Sequence, residues 1–407
     1  MEANPGRIRT LDLIRGVAVL GILAVNIAGF AAPDSAIFSP DLPQPGSLAD
    51  HAVWPVTLLL FEGKMRTLFS LLFGASLLLF IERAETAGRN GNRLQLRRLA
   101  WLLLLGYLHF ALIWDGDILF LYAAIGFVAL ALRHLRPSQL VVAGALILAS
   151  WQLWGLSMWL PSMATEIAPN AVVSPDMQRQ HARDLTLYRN EDARDLSDTR
   201  LPWPAEVKSR LANHAVDPLG LVAFNWGETL PWMLLGMALL QSGFFAGAWP
   251  RHALIRLALI GLGLGGAATL GFVEWARLNH YPEIAMRYAL SVGLALPHLA
   301  MALGYAALLV LAAPRLLALA IGQRLEAAGR MAFSNYIGTS LVMTGLFHGW
   351  GLGWFGHYGA AGRWPFVLLG WALMLAWSKW WLVRFRQGPL EWLWRSLTEW
   401  QRLPLRR

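Results

Sequence analysis

The chain has 407 residues, of which 56% are hydrophobic and 14% charged, with 21 Trp and a net charge of +9. Ordinary globular chains are roughly 45–50% apolar and about 25% charged, so a soluble protein of this composition could not cover its own surface, and much of the chain must have the bilayer as solvent. A cytosolic enzyme, a disordered protein and a nucleic-acid binder are excluded, and the absence of Cys removes disulfides, thiolate metal sites and a Cys nucleophile.

A spanning helix needs about 20 mostly apolar residues. Ten stretches meet or approach this: 13–32, 52–81, 99–114, 118–132, 140–160, 226–240, 254–273, 288–313, 331–350 and 364–383. The first follows basic residues and ends in small ones, as a signal peptide does, but Arg15 at its start and the nine later stretches favour an uncleaved first helix. The second is long and broken by Glu62-Gly63-Lys64, and reads as one span plus a half-helix. The expectation is an all-α polytopic transmembrane bundle of about ten spans. With the N-terminus inside, the inner segments hold most of the 34 basic residues, whereas the short outer turns hold only Arg277, Arg287 and Arg363. That bias places both termini in the cytoplasm of a cell whose inner (plasma) membrane the chain crosses repeatedly.

Three parts follow: a transmembrane half over 1–161, a polar extracytoplasmic loop over 162–225, and a second half over 226–407. The loop holds nine acidic and seven basic residues. Ser174 before Pro175 predicts a capped helix start, and Met177, His181, Leu185 and Tyr188 recur at helical spacing. This is an outer helical loop, either a lid or a plain connector. From Pro389 to Arg402, Leu390, Leu393, Trp394 and Leu397 share one face, as in a helix lying on the inner membrane surface.

Ionisable groups at membrane depth are costly and are functional candidates by default. His109 lies about 15 Å along its helix from the inner end, followed by Asp115 and Asp117 flanking Gly116 in a tight turn. A neutral His oriented by an Asp is a general-base arrangement; equally, the His could bond a neighbouring helix while the Asp residues cap helix ends. Glu62, Lys64 and Arg66 at the break demand water or mutual pairing. Asn26, Glu228, His298 and His348 share the outer half, as an outward-opening cavity would require. At the inner ends, Arg9, Asp12 and Arg15 recur at spacings of three, and Arg97, Arg98 and Arg330 join them. Together they would suit a phosphate-rich ligand such as a coenzyme, or serve only as positive-inside anchors. Gly261 to Gly266 formally fits a dinucleotide fingerprint, but without a preceding strand it reads as close helix packing. No His spacing suits a metal.

Five segments carry a resemblance to the YeiB-like membrane proteins: Leu11-Asp12-Leu13-Ile14-Arg15-Gly16 with Asn26; Leu68-Phe69-Ser70-Leu71-Leu72-Phe73-Gly74; Trp114-Asp115-Gly116-Asp117-Ile118-Leu119; Gly329-Arg330-Met331-Ala332-Phe333-Ser334-Asn335-Tyr336; and Arg386-Gln387-Gly388-Pro389-Leu390-Glu391-Trp392-Leu393-Trp394-Arg395. The opening Arg9-x-x-Asp12-x-x-Arg15-Gly16 with Asn26 also resembles transmembrane acyltransferases that include lysosomal heparan-glucosaminide acetyltransferase. His51-Ala52-Val53-Trp54 resembles that enzyme's segment bearing its catalytic His, which makes His51 a second catalytic candidate. The resemblance implies an acyl-CoA donor on the cytoplasmic side and an acceptor reached from outside.

The expectation is an acyltransferase moving a short acyl group from acyl-CoA to a hydroxyl or amine of a glycan or lipid-linked acceptor. His109 would be general base or acyl carrier, and Asp115 or Asp117 would orient it. Arg9, Arg15, Arg97 and Arg330 would hold coenzyme phosphates, and Asn26 or Asn335 would donate to the oxyanion. Membrane lipids are expected partners, with a second copy of the chain as a further candidate. The alternatives are a transporter, in which Glu62, Lys64, Arg66, Asp115 and Glu228 line a path for a small polar or lipid-linked compound, and a non-catalytic scaffold.

Overall fold

The computed structural model describes residues 8–167 and 173–407, in which the regular elements are helices. In chain order they are α1 (Arg9–Ala31), α2 (Ser35–Phe38), α3 (Leu48–Leu60), α4 (Lys64–Thr86), α5 (Gly91–Leu112), α6 (Leu119–Ala131), α7 (Pro137–Ile167), α8 (Pro175–Asp198), α9 (Trp203–Asn213), α10 (Asp217–Gln241), α11 (Arg251–Leu278), α12 (Glu283–Tyr288), α13 (Ala295–Leu316), α14 (Ala320–Arg330), α15 (Ala332–Phe347), α16 (Trp364–Arg384) and α17 (Pro389–Glu399). A π-helical turn over Ala289–Gly293 joins α12 to α13.

Among the described residues, six helical segments are long and apolar enough to cross a membrane: Arg9–Ala31, Leu48–Thr86, Pro137–Ile167, Arg251–Leu278, Ala295–Leu316 and Trp364–Arg384. The other four expected stretches are helical too, as α5, α6, α10 and α15, but these are shorter or carry more polar residues. The outward faces bear leucines where a soluble protein would carry charge; Leu153 is 70% exposed and Leu259 69%. The chain is therefore a polytopic helical membrane protein. Helix α1 is the most enclosed, with 67% of its apolar stretch buried, against 28% for α7 and α16. It is the axial helix around which the rest pack.

Small residues set the closest crossings. A Cβ on Gly16 would lie 1.9 Å from the Leu325 carbonyl oxygen, and one on Gly329 would lie 1.8 Å from that of Asp12. So α1 and α14 touch backbone to backbone, as small residues permit in membranes. The Gly261–Gly266 run is helical, within α11, and Gly261 and Gly265 press on the Ala300 and Pro297 carbonyls of α13.

Helix α3 starts with a reciprocal capping box between Ser47 and Asp50. The break after it comes at Gly63, whose φ of 71° suits glycine, and α4 restarts at Lys64. In the loop, Ser174 caps α8 through the Met177 amide, and Leu185 and Tyr188 pack on Met163 and Ile284. Within the loop stretch, residues 168–172 lie outside the described residues. Two boundaries differ from expectation. Helix α7 runs on to Ile167, and α10 begins at Asp217 rather than near 226. After Leu160 no glycine stops α7, and α10 starts early because Pro218 sits at its favoured place in the first turn and Leu219, Leu221, Val222 and Phe224 extend its apolar run. Helix α9 had no separate signal in the sequence.

The bundle thus has an arginine-rich end, where α1, α5, α7, α11 and α14 begin, and a loop end, where α8, α9 and α12 lie. Helix α17 docks at the arginine-rich end, its Trp394 indole donating to the Arg98 carbonyl at 2.8 Å.

Candidate active site

Helix α5 ends three residues after His109, and the turn to α6 brings Asp117 back beneath it. His109 Nδ1 lies 2.7 Å from Asp117 Oδ1, and the two residues are 2% and 3% exposed. Asp117 Oδ2 accepts the Phe120 amide at 2.8 Å, so the carboxylate also caps α6 and its orientation is fixed twice. With the ring proton on Nδ1, His109 donates to Asp117 and its lone pair is on Nε2. Nε2 is buried and has no hydrogen-bond partner among the described residues.

Tyr336 of α15 stands against this pair. Its ring centroid is 5.2 Å from that of His109, and its hydroxyl accepts the Ile118 amide at 3.3 Å. Trp114 closes another side at 6.4 Å, edge to face.

A cavity of about 200 Å³ runs from the arginine-rich end toward this point. Arg15, Ser76, Gln95, Arg98, Arg330, Glu391 and Trp394 line its polar part; Ile22, Phe69, Leu72, Phe73, Leu102 and Leu119 line the apolar part, which reaches Ile118 and Tyr336. His109 itself does not line it; Tyr336 is the wall between. Arg15 is oriented by Asp12 at 2.9 Å and Ser76 at 2.7 Å. The Arg98 guanidinium stacks on Trp394 at 4.2 Å. Gln95 is 2% exposed, and its Oε1 has no hydrogen-bond partner among the described residues. Glu391 accepts the Phe333 and Ser334 amides at 2.8 and 3.1 Å, capping the start of α15. Burial pushes its carboxyl above the ordinary range, against the pull of those bonds.

The other sequence candidates lie elsewhere. Arg9 makes a two-pronged pair with Glu326, at 2.9 and 2.7 Å, beside the cavity rather than in it. Arg97 covers Trp400. Asn335 is engaged on both sides of its amide, donating to Ala328 O and Ser378 Oγ and accepting from the Trp377 indole. It pins α15 to α16. Asn26 is on α1 in neither the cavity nor the dyad. His51 sits at the loop end, 2.9 Å from Asp41, with Tyr281 at 5.7 Å. At the helix break, Arg66 pairs with Glu228 at 2.8 Å and the fully buried Lys64 donates to Leu58 O at 2.7 Å.

Asp115 is exposed, and its charge acts on Asp34 and on Asp195 of α8, not on His109 through a hydrogen bond. Burial pushes the Asp195 carboxyl up to about 7, with the charges of Asp115 and Asp34 acting in the same direction. Between its ordinary 3.8 and about 7, the folded chain holds a proton that the unfolded chain has released. Its destabilising effect therefore grows as pH rises through that window and is complete above it. Asp195→Asn should raise Tm over the parent at about pH 8 and by clearly less at about pH 5, measured by thermal unfolding in detergent. An equal gain at both values would show that the loop carboxyls do not interact in this way.

Tyr336, Arg98, Glu391 and Trp394 had weak signals. Arg98 stood with Arg97 and Arg330 among the inner basic residues, and Tyr336, Glu391 and Trp394 lay within the segments that carry the family resemblance, but nothing in the sequence gave these three a place at a site.

No solved structure matches the chain. The family model described as "Protein of unknown function (DUF418)" matches residues 239–401, which take in α11 to α17 and hence Tyr336 and Glu391. The "Uncharacterized protein YxaH" of Bacillus subtilis (strain 168) is 32% identical, across 97% of this chain and 95% of its own length. The "Uncharacterized protein YeiB" of Escherichia coli (strain K12) is 30% identical, across 96% and 95%. Likeness of that extent covers both halves of the candidate site as well as the loop between them, and on it the chain belongs to the DUF418 family of YeiB and YxaH.

Proposed function

We propose that the protein is a membrane-embedded acyltransferase that takes a short acyl group from acyl-CoA and passes it to a hydroxyl or amine. The observation that supports this is the cavity: guanidinium groups at one end, an apolar bore, and Tyr336 at the other end with the buried His109–Asp117 pair behind it. Arg15, Arg98 and Arg330 suit coenzyme phosphates, and the bore suits the pantetheine arm and acyl chain.

In this reading the bundle has ten spans, with both termini in the cytoplasm and the 162–225 loop outside the inner membrane. The arginine-rich mouth then faces the cytoplasmic acyl-CoA pool, and a glycan or lipid-linked acceptor approaches from the loop end. Tyr336 separates His109 from the cavity, so in this reading its ring swings aside once donor and acceptor are bound, and His109 Nε2 then takes the proton from the acceptor as its oxygen or nitrogen attacks the thioester carbon. The new bond forms, the C–S bond breaks, and the departing thiolate recovers the proton from the imidazolium. Swung aside, the Tyr336 hydroxyl gives up its bond to Gly116 O and can donate to the carbonyl oxygen as charge develops there.

Coenzyme A should raise Tm progressively with concentration, as binding to the native state requires. Arg98→Leu should weaken that rise while leaving the unliganded Tm close to the parent's. Labelled acetyl-CoA should then deliver its label to a mixture of membrane lipids and glycans. A liposome in which the protein moves a polar solute without any acyl donor, and no coenzyme A stabilisation, would overturn the proposal in favour of a transporter.

A further inference from the structure

Helix α5 ends in an unusual way. The last four carbonyls of a helix lack intrahelical partners, and a buried helix end must find others. His109 O accepts the amides of Ile113 and Trp114. The next three are met by side chains from α9, about a hundred residues further along. Arg210 Nη1 donates to Phe110 O at 3.1 Å and Ala111 O at 3.3 Å. The Trp203 indole donates to Leu112 O at 2.8 Å. Ile113 and Trp114, not a glycine, come directly after α5 where a backbone cap would form, and the loop helix supplies the cap instead.

Arg210 is itself held. Its Nη2 donates to Glu206 Oε1 at 2.6 Å, and the same oxygen lies 2.8 Å from His348 Nδ1. All three residues are buried: Glu206 is 3%, Arg210 7% and His348 2% exposed. His348 follows directly on α15, and the Gly349 amide donates to Thr199 O at the end of α8. Helix α15 carries Tyr336 and α5 carries His109. The loop therefore grips, through one guanidinium and one carboxylate, the ends of the two helices that bring these rings together.

We propose that α9 is a positioning element for the His109–Asp117 pair, with Arg210 as the positioning residue and Glu206 and His348 orienting it. The loop is then neither a plain connector nor a lid over the site. It completes the last turn of α5, and that turn sets where His109 points. A guanidinium suits the place because Nη1 serves two carbonyls while Nη2 reaches a carboxylate, a spread that the single nitrogen of an ammonium does not span. The catalytic consequence rests on the acyltransferase reading; the structural consequence does not.

Arg210→Lys keeps the charge and removes the fork. Diethylpyrocarbonate modification of His109, followed by mass spectrometry, reads the imidazole directly. The variant should bind coenzyme A as the parent does, since the cavity mouth is at the other end of the bundle. Its His109 should be modified faster, and kcat should fall about 10- to 100-fold with little change in KM for acyl-CoA, the signature of a misplaced group rather than a lost binding contact. Unchanged His109 reactivity in a folded variant would overturn the proposal, as would a rise in KM at constant kcat. If the parent transfers no acyl group, the function reading fails while the modification rates still decide the role of Arg210. Should Arg210→Lys not fold, Glu206→Gln, which preserves shape and frees the guanidinium, serves in its place under the same criteria.

Discussion

Purified His109→Ala is expected to release coenzyme A from acetyl-CoA about 10²- to 10⁴-fold more slowly than the parent, the usual contribution of a positioned general base. Asp117→Asn should cost about as much, for a different reason. Its amide can present an N–H to His109 Nδ1, which moves the ring proton to Nε2 and leaves the base without its lone pair. The remaining amide oxygen can still accept from the Phe120 amide, so the cap on α6 survives and stability should change little. The chain has no Cys, so the liberated thiol can be followed with a thiol reagent free of protein background. Neither variant should lose coenzyme A stabilisation, because neither residue lines the cavity. If both released thiol at the parental rate, the dyad would be a structural pair and the chemistry would lie elsewhere.

The second large effect is on the fold. Gly329→Ala and Gly16→Ala each place a methyl within 1.9 Å of a backbone carbonyl oxygen. Neither neighbour is a flexible side-chain tip, so α1 and α14 must move apart, at a cost of about 3 kcal/mol, the upper part of the range for overpacking. Arg15 and Arg330 are the chain neighbours of these glycines, so separating the helices also separates two of the guanidinium groups at the cavity mouth. Both variants should lower Tm and weaken the coenzyme A response. Gly263→Ala is the matched control: its added methyl meets nothing within 4 Å, and it should melt like the parent or slightly above it. Equal melting of all three would mean that the α1–α14 contact is looser than the structure has it.

The fold was legible wherever the signal was local. Apolar stretches marked the helices, Gly63 marked the break, Ser174 with Pro175 marked the start of α8, and the α11 glycines read as a packing surface. The site was legible only in part. His109 and Asp117 are eight residues apart across one tight turn, so the sequence could offer Asp115 or Asp117 as the partner, and the structure gives the bond to Asp117. Arg9 and Glu326 are 317 positions apart, and Arg210 and Phe110 are 100 apart. Periodicity says which face of a helix is apolar but not which helix will lie against it. For the same reason Arg9, Arg15 and Arg330 read alike as inner basic residues, although only Arg15 and Arg330 open on the cavity. Asn335 likewise read as a free donor because its partners on α16 are more than forty positions away.

Helix α15 is fastened at both tips. Glu391 of the tail holds its first amides, and Glu206 of the loop holds the histidine that follows its last turn. Sixteen residues, roughly 24 Å, separate the two moorings. A rod tethered in this fashion can neither slide nor rotate alone, so a tug on the C-terminal tail at one face is felt by the loop at the opposite face. Truncating the tail before Glu391 is therefore expected to loosen Tyr336 as well as the first turn of α15.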